Sequence, residues 1–215
     1  MKRLSRILLV CALLGGAAQA QEVQATPAPA APIYNTGYPA SRVISARIQK
    51  RFLDTIRWSV SAEARDGLEA AFAERPALEI WQELVAGDGL VTGNVADALT
   101  SYWVLNWVTA NARYNLKIDN KPIRDQIAKA MEADPNFRSL NNLQRQEMAE
   151  GYILKFLIEH AALNDAMQRK DVAALSQLAL ASATRFRQEM GVDLLAQEPG
   201  PEGFGPKAAA VRASD

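Results

Sequence analysis

Soft metal ligands and charge of one sign are what this chain of 215 residues has least of. It contains one cysteine, Cys11, and one histidine, His160. Zinc fingers and iron–sulfur centres need several such ligands at short spacing, so that chemistry is excluded; neither a metal site nor a cofactor is expected. A single imidazole also rules out a relay between two histidine bases. Lys plus Arg number 24 and Asp plus Glu 24, whereas nucleic-acid binders usually carry a basic excess. Nucleic acid is therefore set aside as a partner. There is no G-x-S-x-G, and the close glycines Gly87, Gly89 and Gly93 lack the following Lys of a phosphate loop.

What is present begins with an address. Lys2, Arg3 and Arg6 precede a short apolar run, Ile7 to Leu14, and Ala18-Gln19-Ala20 supplies the small residues of a signal-peptidase site. The run is far below the roughly 20 residues that span a bilayer as a helix. Residues 1–20 are accordingly read as a cleaved signal peptide of a secreted or periplasmic protein, and no transmembrane segment is expected after cleavage. Cleavage removes Cys11 and three basic residues, leaving a mature chain without cysteine and with 21 basic against 24 acidic residues, a net of −3.

Prolines then mark the limits of the folded part. Pro27, Pro29, Pro32 and Pro39 crowd residues 21–39, which read as an extended Pro/Ala-rich linker, since proline fixes φ and donates no N–H. Pro199, Pro201 and Pro206, with Gly200, Gly203 and Gly205, mark residues 196–215 as a disordered tail. The folded domain is expected over residues 40–195. Inside it the 3.6-residue period recurs with no convincing strand pair. The fold class expected is all-α, an irregular bundle of about seven helices. They cover about 41–58, 61–73, 76–87, 94–113, 122–134, 141–168 and 171–191, with Ser41, Asn94 and Asp171 as start signals and Gly191 as a stop.

The fourth of these stretches is the most distinctive. Leu99, Trp103 and Trp107 stack at i, i+4 and i+8, while Val95, Ala98, Tyr102 and Leu105 cover the neighbouring side. A helix apolar nearly all round is usually central to its bundle. A ligand site here would use Tyr102, Trp103 and Trp107 as a stacking face, with Asp97 and Asn106 as polar partners. The plainer reading makes the aromatics core, and Asn94 and Asp97 a helix cap and its first-turn acid. His160 falls in register with Ile153, Phe156, Leu163 and Met167, which suits a core histidine better than a base.

Carboxylates are plentiful, so paired-acid chemistry on a glycan is the one catalytic class left open. Helical glycan-cleaving enzymes of the cell envelope are similar in size. Their catalytic Glu is normally followed by Ser, a pair absent here, and Glu147 and Glu150 read as lying on the exposed side of their helix. Charge is uneven along the chain. Residues 41–62 carry Arg42, Arg47, Lys50, Arg51 and Arg57 against Asp54, a net of +4; residues 63–88 carry seven acids against Arg65 and Arg75, a net of −5. A basic first helix suits contact with anionic lipid or wall polymer, although such a face is more often simply solvated.

Several stretches, in order, resemble a family of secreted bacterial all-helical proteins known only as a domain of unknown function. They are Gly89-Leu90, Asn94-Val95-Ala96-Asp97-Ala98, Tyr102-Trp103, Trp107, Arg145-Gln146-Glu147-Met148-Ala149-Glu150, Met190-Gly191-Val192-Asp193-Leu194 and Gly203-Phe204. The resemblance implies a helical secreted domain and carries no activity, cofactor or assigned residue. The function expected is therefore a non-catalytic module of the bacterial cell envelope that binds an unidentified envelope protein or ligand. The alternative is an envelope glycan hydrolase using paired carboxylates. A weaker third reading is a holdase-like chaperone, which requires a large exposed apolar patch.

Overall fold

A computed structural model of the chain describes residues 34–59 and 61–207. The expected leader, the linker up to residue 33 and the last eight residues lie outside them. The described residues form eight α-helices: α1 (Arg42–Ser59), α2 (Ala62–Glu74), α3 (Ala77–Leu84), α4 (Val95–Ala110), α5 (Asn120–Ala133), α6 (Pro135–Arg138), α7 (Asn142–Gln168) and α8 (Val172–Met190). One hairpin of two short strands, β1 (Gln197–Gly200) and β2 (Gly203–Pro206), follows. The all-α class expected from periodicity is the class found.

Local signals set most of the boundaries. Asn94 Oδ1 accepts from the N–H groups of Ala96 and Asp97, opening α4. Asn141 and Gln144 close a reciprocal capping box at the head of α7, which satisfies two of the N–H groups a helix start leaves unpaired. Asp171 caps α8, and Gly191, at φ 65°, ends it in the left-handed conformation that suits glycine. α6 was not expected as a helix: Pro135 ends α5 but also occupies the first position of this single turn, capped by Asp134.

α4 is the axis of the bundle, packed by α5, α7 and α8. Eleven of its 16 residues are buried, in keeping with a sequence apolar on every side. Its threonine hydroxyls are satisfied within the helix. Thr100 donates to the Ala96 carbonyl at 2.7 Å and Thr109 to that of Leu105 at 2.7 Å. Trp81 of α3 is fully buried and donates from Nε1 to Ser101 Oγ at 3.1 Å.

The folded part extends past both proline-marked limits. Residues 34–39, expected as linker, lie across the start of α4. Tyr38 N–H donates to the Gly93 carbonyl at 3.0 Å, Val95 N–H to that of Thr36 at 3.1 Å, and Thr36 Oγ1 to Asn94 Oδ1 at 2.6 Å. Arg145 fastens the same strap from α7, donating to Tyr34 OH at 3.2 Å while lying over the Phe137 ring. At the other end, residues 197–206, expected as disordered tail, form the hairpin. Gln126 of α5 grips Phe204 as a strand would: Nε2 donates to the Phe204 carbonyl, and Oε1 accepts its N–H, both at 2.8 Å. Gly203 sits at φ 104°, where a Cβ would fall 2.3 Å from Gln126 Oε1; the glycine read as a mark of disorder is what admits the clasp. In a two-stranded ribbon the outer edges need no partner, so Pro199 and Pro206 are tolerated there.

Candidate functional site

The five residues singled out on α4 fall into three separate environments. Tyr102 and Asn106, one turn apart, both reach Glu159 of α7. Asn106 Nδ2 donates to Glu159 Oε2 at 2.7 Å, and Tyr102 OH lies 3.3 Å from Oε1. Arg185 of α8 pairs with Glu159 and donates to Tyr102 OH at 3.2 Å. Tyr102 is fully buried, between the Tyr152 and Phe186 rings at 5.6 and 5.4 Å. Burial pushes its phenol up, against the pull of Arg185. Glu159 thus has its charge matched by Arg185 and its two oxygens approached by donors, which is the arrangement of a structural ion pair rather than of a free base.

Trp103 and Trp107 belong to the second environment. Phe204 lies against both, 5.8 Å from Trp103 and 5.9 Å from Trp107 between centroids. Trp107 is 2% exposed, and its Nε1 donates to the Gln197 carbonyl at 2.9 Å. Trp103 is half-buried, and its Nε1 has no hydrogen-bond partner among the described residues. The side of the helix read as a stacking face is therefore already covered by the hairpin.

Asp97 stands apart from both groups. Fully buried, it accepts from the Val91 N–H at 3.0 Å and pairs with Arg124 of α5, so it pins the loop before α4 to α5. Burial pushes its carboxyl up; the Val91 N–H and Arg124 act against that. Of the five, only Trp103 presents appreciable surface.

A further polar knot lies where α1 meets α7. Gln146 Nε2 donates to the Ser41 carbonyl at 2.9 Å and to Glu150 Oε1 at 2.8 Å, while Ser45 Oγ also donates to Glu150 at 2.8 Å. Glu150 was expected on the exposed side of α7, but it is 2% exposed. Burial pushes its carboxyl above the usual range, with Ser45 and Gln146 acting against the shift. Glu147, half-buried, bridges Arg51 at 2.7 Å. His160 is half-buried with its ring stacked on Phe156 at 5.4 Å, and burial lowers its pKa. Glu159 and Gln146 were not read from the sequence as polar partners and Glu150 was placed on the wrong side, yet a signal exists. Glu159 lies three residues after Phe156 and four before Leu163, and Gln146 and Glu150 are in step with Ile153, so all three occupy core-facing positions of α7.

Concave surface is found elsewhere. A cleft of about 580 Å³ lies between Gln126 and residues 198–206, and a smaller one of about 280 Å³ runs from Leu116–Asp119 to Pro199–Pro201. No three His, Cys, Asp or Glu side chains gather as a metal site among the described residues. None of the described helices is long and apolar enough to cross a membrane.

These features define an all-helical domain built round a buried central helix, with its polar clusters locked between helices. The chain belongs to a family of unknown function, DUF6683, whose model matches residues 11–192. The match ends at Val192, so the hairpin and its Gly203-Phe204 lie beyond it. No curated protein and no solved structure matches the chain.

Proposed function

We propose that the protein is a secreted or periplasmic module of the bacterial cell envelope that acts by contact with a partner rather than by turnover. One observation carries this reading: the side chains best suited to chemistry or stacking are occupied by one another. Tyr102, Arg185 and the Asn106 Nδ2 all engage Glu159 or one another, leaving only the buried Asn106 Oδ1 without a partner among the described residues, and Phe204 covers Trp107. In this reading Asp97, Tyr102, Trp103, Asn106 and Trp107 shape the scaffold, and recognition falls to the outer surface. The leader-like residues 1–20 support export.

The second reading, an envelope glycan hydrolase, draws on Glu150, whose raised carboxyl is the kind of group that serves as a general acid. Its 2% exposure and its ties to Ser45 and Gln146 argue for a structural role instead. The test is incubation of the purified protein with peptidoglycan and with model glycans, followed by chromatography of soluble products. No release above the blank is expected. Turnover that disappears in Glu150→Gln, in a protein that still folds, would overturn the module reading in favour of the hydrolase.

A further inference from the structure

The outward face of α1 brings exposed apolar side chains and cations together. Its core side is settled: Ile48 and Leu53 are buried, and Ile44 and Phe52 pack against the core. Positions 43, 47, 50, 54 and 57, spaced by three and four residues, form the opposite side, together with 58, four residues after 54. Val43 and Trp58, near its two ends, are 80% and 84% exposed. Between and beside them are five cations, of which two are matched: Lys50 by Asp54 and Arg51 by Glu147. Arg42, Arg47 and Arg57 hold no ion pair among the described residues, and the Arg57 guanidinium lies 5.9 Å from the Trp58 ring. Of the neighbouring acids of α2, Asp66 and Glu69 are held by Arg65 of the same helix.

We propose that this face of α1 docks the protein on an anionic lipid surface, with Arg47 and Arg57 at the headgroups and Trp58 in the interfacial zone. The assignment rests on the reading of the protein as an envelope contact module and names its partner. Two properties of the face select lipid over other anions. Arginines without an ion pair give the face charge complementarity to an anionic partner. A soluble wall polymer would satisfy them but offer no apolar region to Val43 and Trp58, whereas the bilayer interface accepts both, indole rings being enriched at that depth. The helix lies flat on the body of the protein, with its apolar stripe already buried in the core. Docking is thus peripheral, driven by charge and anchored by one aromatic, and it weakens as salt rises.

The experiment uses the purified chain from Gln21, so that the apolar leader does not bind lipid itself, and vesicles of phosphatidylcholine with or without phosphatidylglycerol. Binding is followed by flotation and by tryptophan emission. Trp81 and Trp107 are buried and Trp103 half-buried, so Trp58 is the indole whose emission should move to the blue. The expected result is binding to vesicles with phosphatidylglycerol only, with a blue shift that is absent in Trp58→Phe. Arg47→Glu with Arg57→Glu should weaken binding by about tenfold or more, as removal of several basic contacts to an anionic leaflet does, with the helical circular-dichroism spectrum unchanged. No binding at low salt, binding indifferent to the double reversal, or binding without a change in Trp58 emission would each overturn the proposal. Equal displacement by a soluble polyphosphate together with an unshifted Trp58 would replace lipid with a polymer partner. These outcomes leave the glycan assay untouched, and glycan turnover by a protein that still floats with vesicles would remove the module reading alone.

Discussion

Trp58 and Trp107 are the same side chain put to opposite uses. Trp107 is 2% exposed on a helix whose neighbours enclose it, with its indole N–H given to the Gln197 carbonyl. Trp58 is 84% exposed at the end of a helix that turns its apolar stripe the other way. The two helices differ in pattern before they differ in structure. α4 carries apolar or small residues round its whole circumference and can be satisfied only at the centre of a bundle. α1 carries one apolar stripe and is satisfied at the periphery, so whatever lies on its far side is free of the core. An aromatic residue on α4 therefore reports on packing, and one on the far side of α1 is available for contact.

The comparison is most open to attack at Trp107. Truncation of a buried tryptophan typically costs about 3–5 kcal/mol, and Trp107→Ala is expected in that range, since it also strands the Gln197 carbonyl and uncovers Phe204. Chemical denaturation, with the slope checked for two-state behaviour, measures it. A variant that melts like the wild type would show that the centre of the bundle is looser than its burial implies.

The fold was legible because α4, α7 and α8 announce themselves by period and by caps such as Asn94, Asn141 and Asp171. The five site candidates were drawn from α4 on composition. Periodicity could place them on a buried helix but could not say what covers them. Phe204, which covers Trp103 and Trp107, comes from a segment whose prolines and glycines read as tail. Those residues have two physical meanings: they prevent helix, and they permit close approach, as Gly203 does under Gln126. The strap at residues 34–39 was missed for a related reason, its backbone being paired through Tyr38 and Thr36 to Gly93 and Val95 by contacts that leave no periodic trace. Glu150 was misplaced because an acid was assumed to face water. Its position in step with Ile153 was the better guide.

Glu150 sharpens the comparison on the polar side, as a charged group placed in the core of α7 rather than on the outside of α1. Its carboxyl is pushed up from the ordinary value of 4.5 by burial. In the window above that value the folded state holds the proton that the unfolded chain has released. Stability contributed by this group therefore falls as pH rises through the window, and the loss is complete once the folded form also ionises. Glu150→Gln keeps an acceptor for Ser45 and Gln146 and removes the charge. It is expected to raise stability at neutral pH by an amount on the order of 1 kcal/mol, the usual scale for one buried polar group, with little change near pH 4. Thermal melts of both proteins across that range check the sign. A variant destabilised equally at every pH would mean that the ionised carboxylate is what the Ser45–Gln146 knot requires.

The smallest effect is expected at Trp58. The Trp58→Ala change removes more side-chain atoms than most substitutions, but almost none of them are in contact with the protein, apart from the Arg57 guanidinium 5.9 Å away. Exposed positions away from caps and special backbone usually change stability by no more than about 0.5 kcal/mol. Trp58→Ala should therefore melt with the wild type in buffer, while Trp107→Ala does not. The effect expected at Trp107 is several times that expected at Trp58, which makes the pair a cleaner test than one mutant alone. A loss at Trp58 approaching that at Trp107 would mean that α1 is covered on both sides within the folded chain, and its outward face would no longer be available for contact.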